Sequence, residues 1–131
     1  MLHRHLSLEP ELETVATAVI DACLEVHRAL GPGLLEAAYA RACAIEFDLR
    51  GLEYRREVPV PVLYKGRLVS EQRLDFLFIE RVILEVKAVE NLVPVHHAQV
   101  LSYLKATGLR LALLLNFNVP VLKQGIRRIV L

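Results

Sequence analysis

The run Val82-Ile83-Leu84-Glu85-Val86-Lys87 constrains the fold more than any other stretch, because it reads as an interior strand yet carries a carboxylate and an ammonium. Side chains at i and i+2 of a strand point the same way, so Glu85 and Lys87 share one face and Val82, Leu84 and Val86 the other. Burying an ionised group is costly unless it is paired or bound to a metal. Ten residues upstream, Asp75 sits in a second apolar run, Leu74-Asp75-Phe76-Leu77-Phe78-Ile79. Neighbouring strands carrying two carboxylates and a lysine form a set able to hold a divalent cation and a phosphate.

At 131 residues, 54% of them hydrophobic, the chain reads as one domain over 1–131, long enough to bury a proper core. No apolar run reaches the roughly 18 residues that span a bilayer, because charges or prolines interrupt each one, so no membrane partner is expected. The start, Met1-Leu2-His3-Arg4-His5, lacks the apolar stretch of a secretory signal, and the expected location is cytoplasmic. His3 and His5 read as a loose terminus. Cys23 and Cys43 have neither CxxC spacing nor a second pair, which suits buried free thiols rather than a disulfide or a ligand pair. Sixteen basic against fifteen acidic residues leave a net charge of +1, which excludes a strong overall electrostatic footprint for nucleic acid. Binding to a polyanion would rest on local clusters such as Arg55-Arg56 or Lys123 with Arg127-Arg128, which read equally well as solvated surface charge.

Apolar spacing predicts a helix over 11–30, with Leu12, Val15, Ala16, Val19, Cys23, Val26 and Leu30 inward, stopped by Gly31-Pro32-Gly33. A second helix is expected from Leu34 to Arg50, with Leu35, Ala38, Ala42, Ile45 and Leu49 as its stripe and Glu36, Tyr39 and Cys43 on an adjoining face. From Glu57 the prolines at 59 and 61 imply an edge strand, and Lys65-Gly66 turns into a strand over Arg67 to Phe78. After Val82 to Lys87, Val95 to Thr107 returns to helical spacing, with Ala98, Leu101, Leu104 and Lys105 on one side and His96, Gln99 and Tyr103 on another. Leu111 to Phe117 reads as an interior strand and Ile126 to Leu131 as a short last one. The fold class expected is α/β, with helices on both sides of a mixed central sheet.

Hydrolysis of a phosphodiester needs an in-line water, neutralised phosphate charge and help for the departing oxygen, which Mg2+ or Mn2+ on carboxylates provides. Asp75 and Glu85 are the natural ligands, the backbone carbonyl of Val86 completes the set, and Lys87 orients or activates water. Register imposes a condition. A two-residue turn at Glu80-Arg81 would pair Ile79 with Val82 and send Asp75 and Glu85 to opposite faces, so shared metal binding predicts an odd-numbered loop near Glu80, or a bulge.

The segment Gly33-Leu34-Leu35-Glu36-Ala37-Ala38-Tyr39 resembles the signature of the GxxExxY proteins. Leu74-Asp75, Glu85-Val86-Lys87 and Gln99 with Tyr103 are similar, in order, to the PD-(D/E)xK nuclease core, with Leu74 in the place of the proline. The resemblance covers roughly residues 15–131 and implies an α/β/α restriction-endonuclease-like core. It implies Asp75 and Glu85 as metal ligands, Lys87 as the catalytic lysine, Glu36 as an acidic residue completing or supporting the metal site, and Gln99 as a contact to substrate or to the lysine.

Blander readings stand beside these. Glu85 and Lys87 would also form a salt bridge on a strand face, Glu36 would also serve the helix dipole, Tyr39 would pack with its hydroxyl satisfied, and Gln99 would lie on helix surface. His96 and His97 point about 100 degrees apart on a helix and cannot readily chelate one ion. They are expected at a helix start, with His96, Tyr39 and Tyr103 as weak candidates for substrate contact. His27 is expected to hold the Gly31-Pro32-Gly33 turn. The leading expectation is a Mg2+- or Mn2+-dependent nuclease acting on nucleic acid, DNA foremost. The rivals are a non-catalytic module that binds nucleic acid or protein, and a metal hydrolase of a small phosphorylated compound. The small surface makes a homodimer or a protein partner plausible.

Overall fold

The computed structural model describes residues 8–131, so His3 and His5 lie outside the described residues. Helix α1 spans Pro10–Leu30, with proline at the helix start and Glu11 and Glu13 in the first turn, both suited to a helix N-terminus. It ends at Gly31, whose φ of +66° suits glycine. Helix α2 spans Glu36–Leu49. The strands β1 (Tyr54–Tyr64), β2 (Arg67–Phe78) and β3 (Val82–Lys87) follow, then helix α3 (Pro94–Thr107), strand β4 (Leu111–Asn116), a short 3-10 turn (Leu122–Gly125) and strand β5 (Ile126–Val130).

The five strands lie in sequence order in one sheet. β3 and β4 are parallel, joined by the α3 crossover, and the other pairs are antiparallel. One face packs Phe76, Val82, Leu84, Leu113 and Leu115 against α1 and α2. The other packs Ile83, Ala112 and Leu114 against Val100, Tyr103 and Leu104 of α3. This is the expected α/β architecture with a mixed sheet between helices, and the interior strands β3 and β4 are apolar on both faces because both are covered.

Two expected helix faces are corrected. On α2 the buried residues are Tyr39, Cys43, Ala44 and Phe47, whereas Leu35, Ile45 and Leu49 are 82%, 57% and 76% exposed. Phe47 meets Phe76 and Phe78 edge-on, and Tyr39 stacks on Phe117 at 4.8 Å, so aromatic packing outweighs the aliphatic stripe. On α3 the buried set is Val100, Tyr103 and Leu104, while Ala98 and Lys105 face outward. The side that carries Gln99 and Tyr103 therefore turns to the sheet. The 3-10 turn was not expected from the sequence.

The β1–β2 hairpin turns over midway. Tyr54 packs with the α1–α2 side, as Phe76 and Phe78 do, yet Val58, Val60 and Leu74 lie on the α3 side. Residues an even number apart would share a face in a regular strand. The exchange occurs at Glu57, whose φ of +50° is left-handed, and the ladder omits the Glu57 and Asp75 pair between Arg56↔Phe76 and Val58↔Leu74.

No helix among the described residues is long and apolar enough to cross a membrane.

Candidate functional site

Asp75 stands where two ladders break. Its pairing with β1 is skipped, and the β2–β3 ladder runs only from Phe78↔Val82 to Phe76↔Leu84. The connection is the three-residue loop Ile79, Glu80 and Arg81, an odd number, so one further step of register sets Asp75 opposite Glu85. In place of the next ladder bond, the amide of Val86 donates to Asp75 Oδ2 at 2.7 Å. The N–H and C=O of one strand residue point toward the same neighbour, so the Val86 carbonyl shares this opened side.

Glu85 and Lys87 project from β3 toward α3. The Lys87 ammonium lies 3.2 Å from Glu85 Oε2 and donates to Gln99 Oε1 at 2.8 Å. Tyr103, one turn beyond Gln99, is buried. Burial, with the carboxylates of Glu85, Asp75 and Glu36 behind it, raises the Tyr103 hydroxyl above its ordinary range, so it stays protonated. Glu36 opens α2 at the exposed rim, where burial and Asp75 raise its carboxyl and Lys87 opposes them. The fold thus brings Glu36, Asp75, Glu85, Lys87, Gln99 and Tyr103 within electrostatic reach of one another.

The electrostatics favour a cation. Glu85 is 4% exposed, and burial, followed by the Asp75 carboxylate, pushes its carboxyl up to about 8 against the attraction of Lys87. Asp75 is raised as well, chiefly by burial, with the Val86 amide, a hydrogen bond to Glu85, Lys87 and Arg56 opposing. Two buried carboxyls close to each other favour retention of a proton. Among the described residues the buried Glu85 Oε1 has no hydrogen-bond partner. Hard oxygen donors with an orphaned buried oxygen fit Mg2+ or Mn2+. Among the described residues no three His, Cys, Asp or Glu side chains converge on one point, so two carboxylates with backbone and water would form the coordination shell and Glu36 would stand outside a tight cage.

Tyr39 and His96 are not brought to this cluster. Tyr39 is fully buried; its hydroxyl donates to the Gly31 carbonyl and accepts from the Leu34 amide at 3.2 Å. That corrects its weak substrate assignment and leaves it fastening the turn from which Glu36 projects. His96 Nδ1 accepts from the Val93 amide at 3.0 Å, closing the first turn of α3, which is the helix-start reading. His27 is structural: its backbone carbonyl accepts from the Gly31 amide at 2.8 Å, at the turn it was expected to hold, and its Nε2 donates to the Val119 carbonyl at 2.8 Å.

Sequence reasoning missed Asn116 and did not single out Arg56. Asn116, 2% exposed at the end of β4, accepts from the Val89 amide at 3.0 Å and donates to the Val89 carbonyl at 2.9 Å. It holds the chain just after Lys87, and its signal was a lone amide closing the apolar run Leu-Ala-Leu-Leu-Leu. Arg56 lines a cleft of about 330 Å³ with Glu36, Glu57 and Asp75. Its sequence signal, one of two adjacent arginines, did not separate it from Arg55.

A family model described as the PD-(D/E)XK nuclease superfamily matches residues 13–129. No curated protein and no solved structure matches the chain.

Proposed function

The chain belongs to the PD-(D/E)XK nuclease superfamily, and on that premise we propose that it is a metal-dependent phosphodiesterase acting on nucleic acid, DNA foremost. The observation that carries this reading is the buried Glu85 carboxyl, with one orphaned oxygen, set beside Asp75. Asp75, Glu85 and the Val86 carbonyl would hold Mg2+ or Mn2+, which when bound neutralises phosphate charge and acidifies water.

The protein's own groups do the rest. Glu85 would bind as a carboxylate and release its proton, since both carboxylates would then face a positive charge. Lys87, held between Glu85 Oε2 and Gln99 Oε1, presents its remaining donor to the attacking water or to a phosphate oxygen. Gln99 limits the swing of that ammonium. Glu36 adds a proton acceptor at the rim.

The same reading assigns the chain to the GxxExxY group. Gly33 has a φ of +105°, which favours glycine, Glu36 faces the site, and Tyr39 ties the turn between them. The three spaced residues thus work as one unit.

Incubation of the protein with manganese and single-stranded, duplex or branched DNA, or RNA, tests the proposal. Metal-dependent cutting that disappears in Lys87→Ala is the expected result. Binding by the unsubstituted protein without cutting of any substrate would instead identify a scaffold.

A further inference from the structure

We infer that Arg56 is a phosphate ligand of the substrate strand, gripping a phosphate in the cleft it lines with Glu36 and Asp75. The inference rests on the phosphodiesterase reading and adds the residue that positions the backbone from the side away from Lys87.

The guanidinium carbon of Arg56 lies 5.1 Å from the centroid of the Phe76 ring. Phe76 is itself fixed edge-on by Phe47 at 5.2 Å and Tyr54 at 5.5 Å, so the platform under the arginine is rigid. A guanidinium over a ring engages through its flat face. Its N–H donors lie in its plane and stay available, in the fork geometry that fits two phosphate oxygens.

Among the described residues Arg56 makes no ion pair, although other arginines of the hairpin do. Arg55 is held by both Glu80 oxygens, at 2.8 and 2.7 Å, and Arg73 lies 3.7 Å from Glu71. Arg56 is solvent-exposed and its charge reaches Asp75. The cleft also holds Glu36 and Glu57, so an anion enters only once a cation has offset the carboxylates. Arg56 is thus a partner for phosphate in the metal-loaded site and a weak one in its absence.

The left-handed backbone of Glu57 explains why Arg56 is directed here. Because the hairpin turns over at that residue, Arg56 stays on the α2 side while Val58 goes to the α3 side. A regular strand would carry both to the same layer.

The competing explanation is that Arg56 merely serves as a counter-charge to Asp75. Oligonucleotide binding, measured against salt with calcium in place of magnesium and the strand checked intact afterwards, separates the two. For Arg56→Gln the slope of log K on log salt should fall by about 0.7 for a single strand, the value of one lost phosphate contact. Its affinity should drop about ten-fold or more, as for loss of a charged hydrogen bond. Arg56→Lys should keep the slope but bind more weakly, having the charge without the fork, and Arg55→Gln should resemble the unsubstituted protein. A manganese-induced rise in melting temperature retained by Arg56→Gln shows that fold and metal site persist. An unchanged slope in Arg56→Gln, with metal binding tightened, overturns the inference in favour of the counter-charge. If the unsubstituted protein binds no nucleic acid at all, the phosphodiesterase reading falls and takes this inference with it.

Discussion

Lys87 Nζ lies 3.2 Å from Glu85 Oε2, yet the glutamate is pushed up to about 8. The two are within salt-bridge distance, but burial and Asp75 oppose the charge on Glu85. Removal from water and the neighbouring Asp75 outweigh the lysine.

This sets a pH dependence. The folded value of Glu85, about 8, exceeds its ordinary 4.5, so between the two the folded protein holds more protons than the unfolded chain. The stabilising contribution is full below 4.5 and is lost as pH rises through about 8. Without divalent metal, the melting temperature should fall across that window, and Glu85→Gln should flatten the fall. Manganese should raise the melting temperature more at the alkaline end, where no proton need be displaced. Scanning calorimetry over the range checks this, and parallel profiles for the two proteins would refute it.

Tyr39→Phe removes one hydroxyl that serves both the Gly31 carbonyl and the Leu34 amide. The expected loss is about 1–3 kcal/mol, since the ring is kept and only polar partners are stranded. Urea denaturation measures it. Cutting should weaken beyond what the unfolded fraction explains, because the turn that presents Glu36 loosens.

Glu57→Gly should be tolerated to within about 1 kcal/mol, as glycine enters left-handed backbone freely. Glu57→Val should cost about 1–3 kcal/mol, the range for strained backbone, with the bulk of its branched side chain added. The contrast between the two variants, read from denaturant midpoints, checks that the hairpin turns over at this residue.

Gly125→Ala meets a different obstacle. A Cβ there would lie 2.2 Å from the Asn116 carbonyl oxygen, an impossible contact against backbone. The cost should reach about 1–3 kcal/mol as β4 and the 3-10 turn separate. Metal-dependent cutting should fall in the folded fraction too, because Asn116 holds the segment after Lys87.

Much of the site was legible in the residues. Strand β3 and the placement of Glu85 and Lys87 on one face follow from period-two alternation, which is a property of the backbone alone. The ends of α1 and α3 follow from Gly31 and Gly108, because left-handed backbone favours glycine. The condition on the Asp75 register was also readable, since only an odd loop or a bulge lets two carboxylates meet.

Tertiary structure decided the rest. Leu35, Ile45 and Leu49 form a stripe as good as that of Tyr39, Cys43 and Phe47, and only the aromatic cluster of Phe76 and Phe78 selects the second. Arg55 and Arg56 are the same residue type side by side, and the Glu80 carboxylate and the Phe76 ring make them different. Alternation and glycine preference are local, so they survive in a bare sequence. Which face is buried, and which charge is left unpaired, depends on surfaces that chain-distant segments bring together, and no local pattern encodes those.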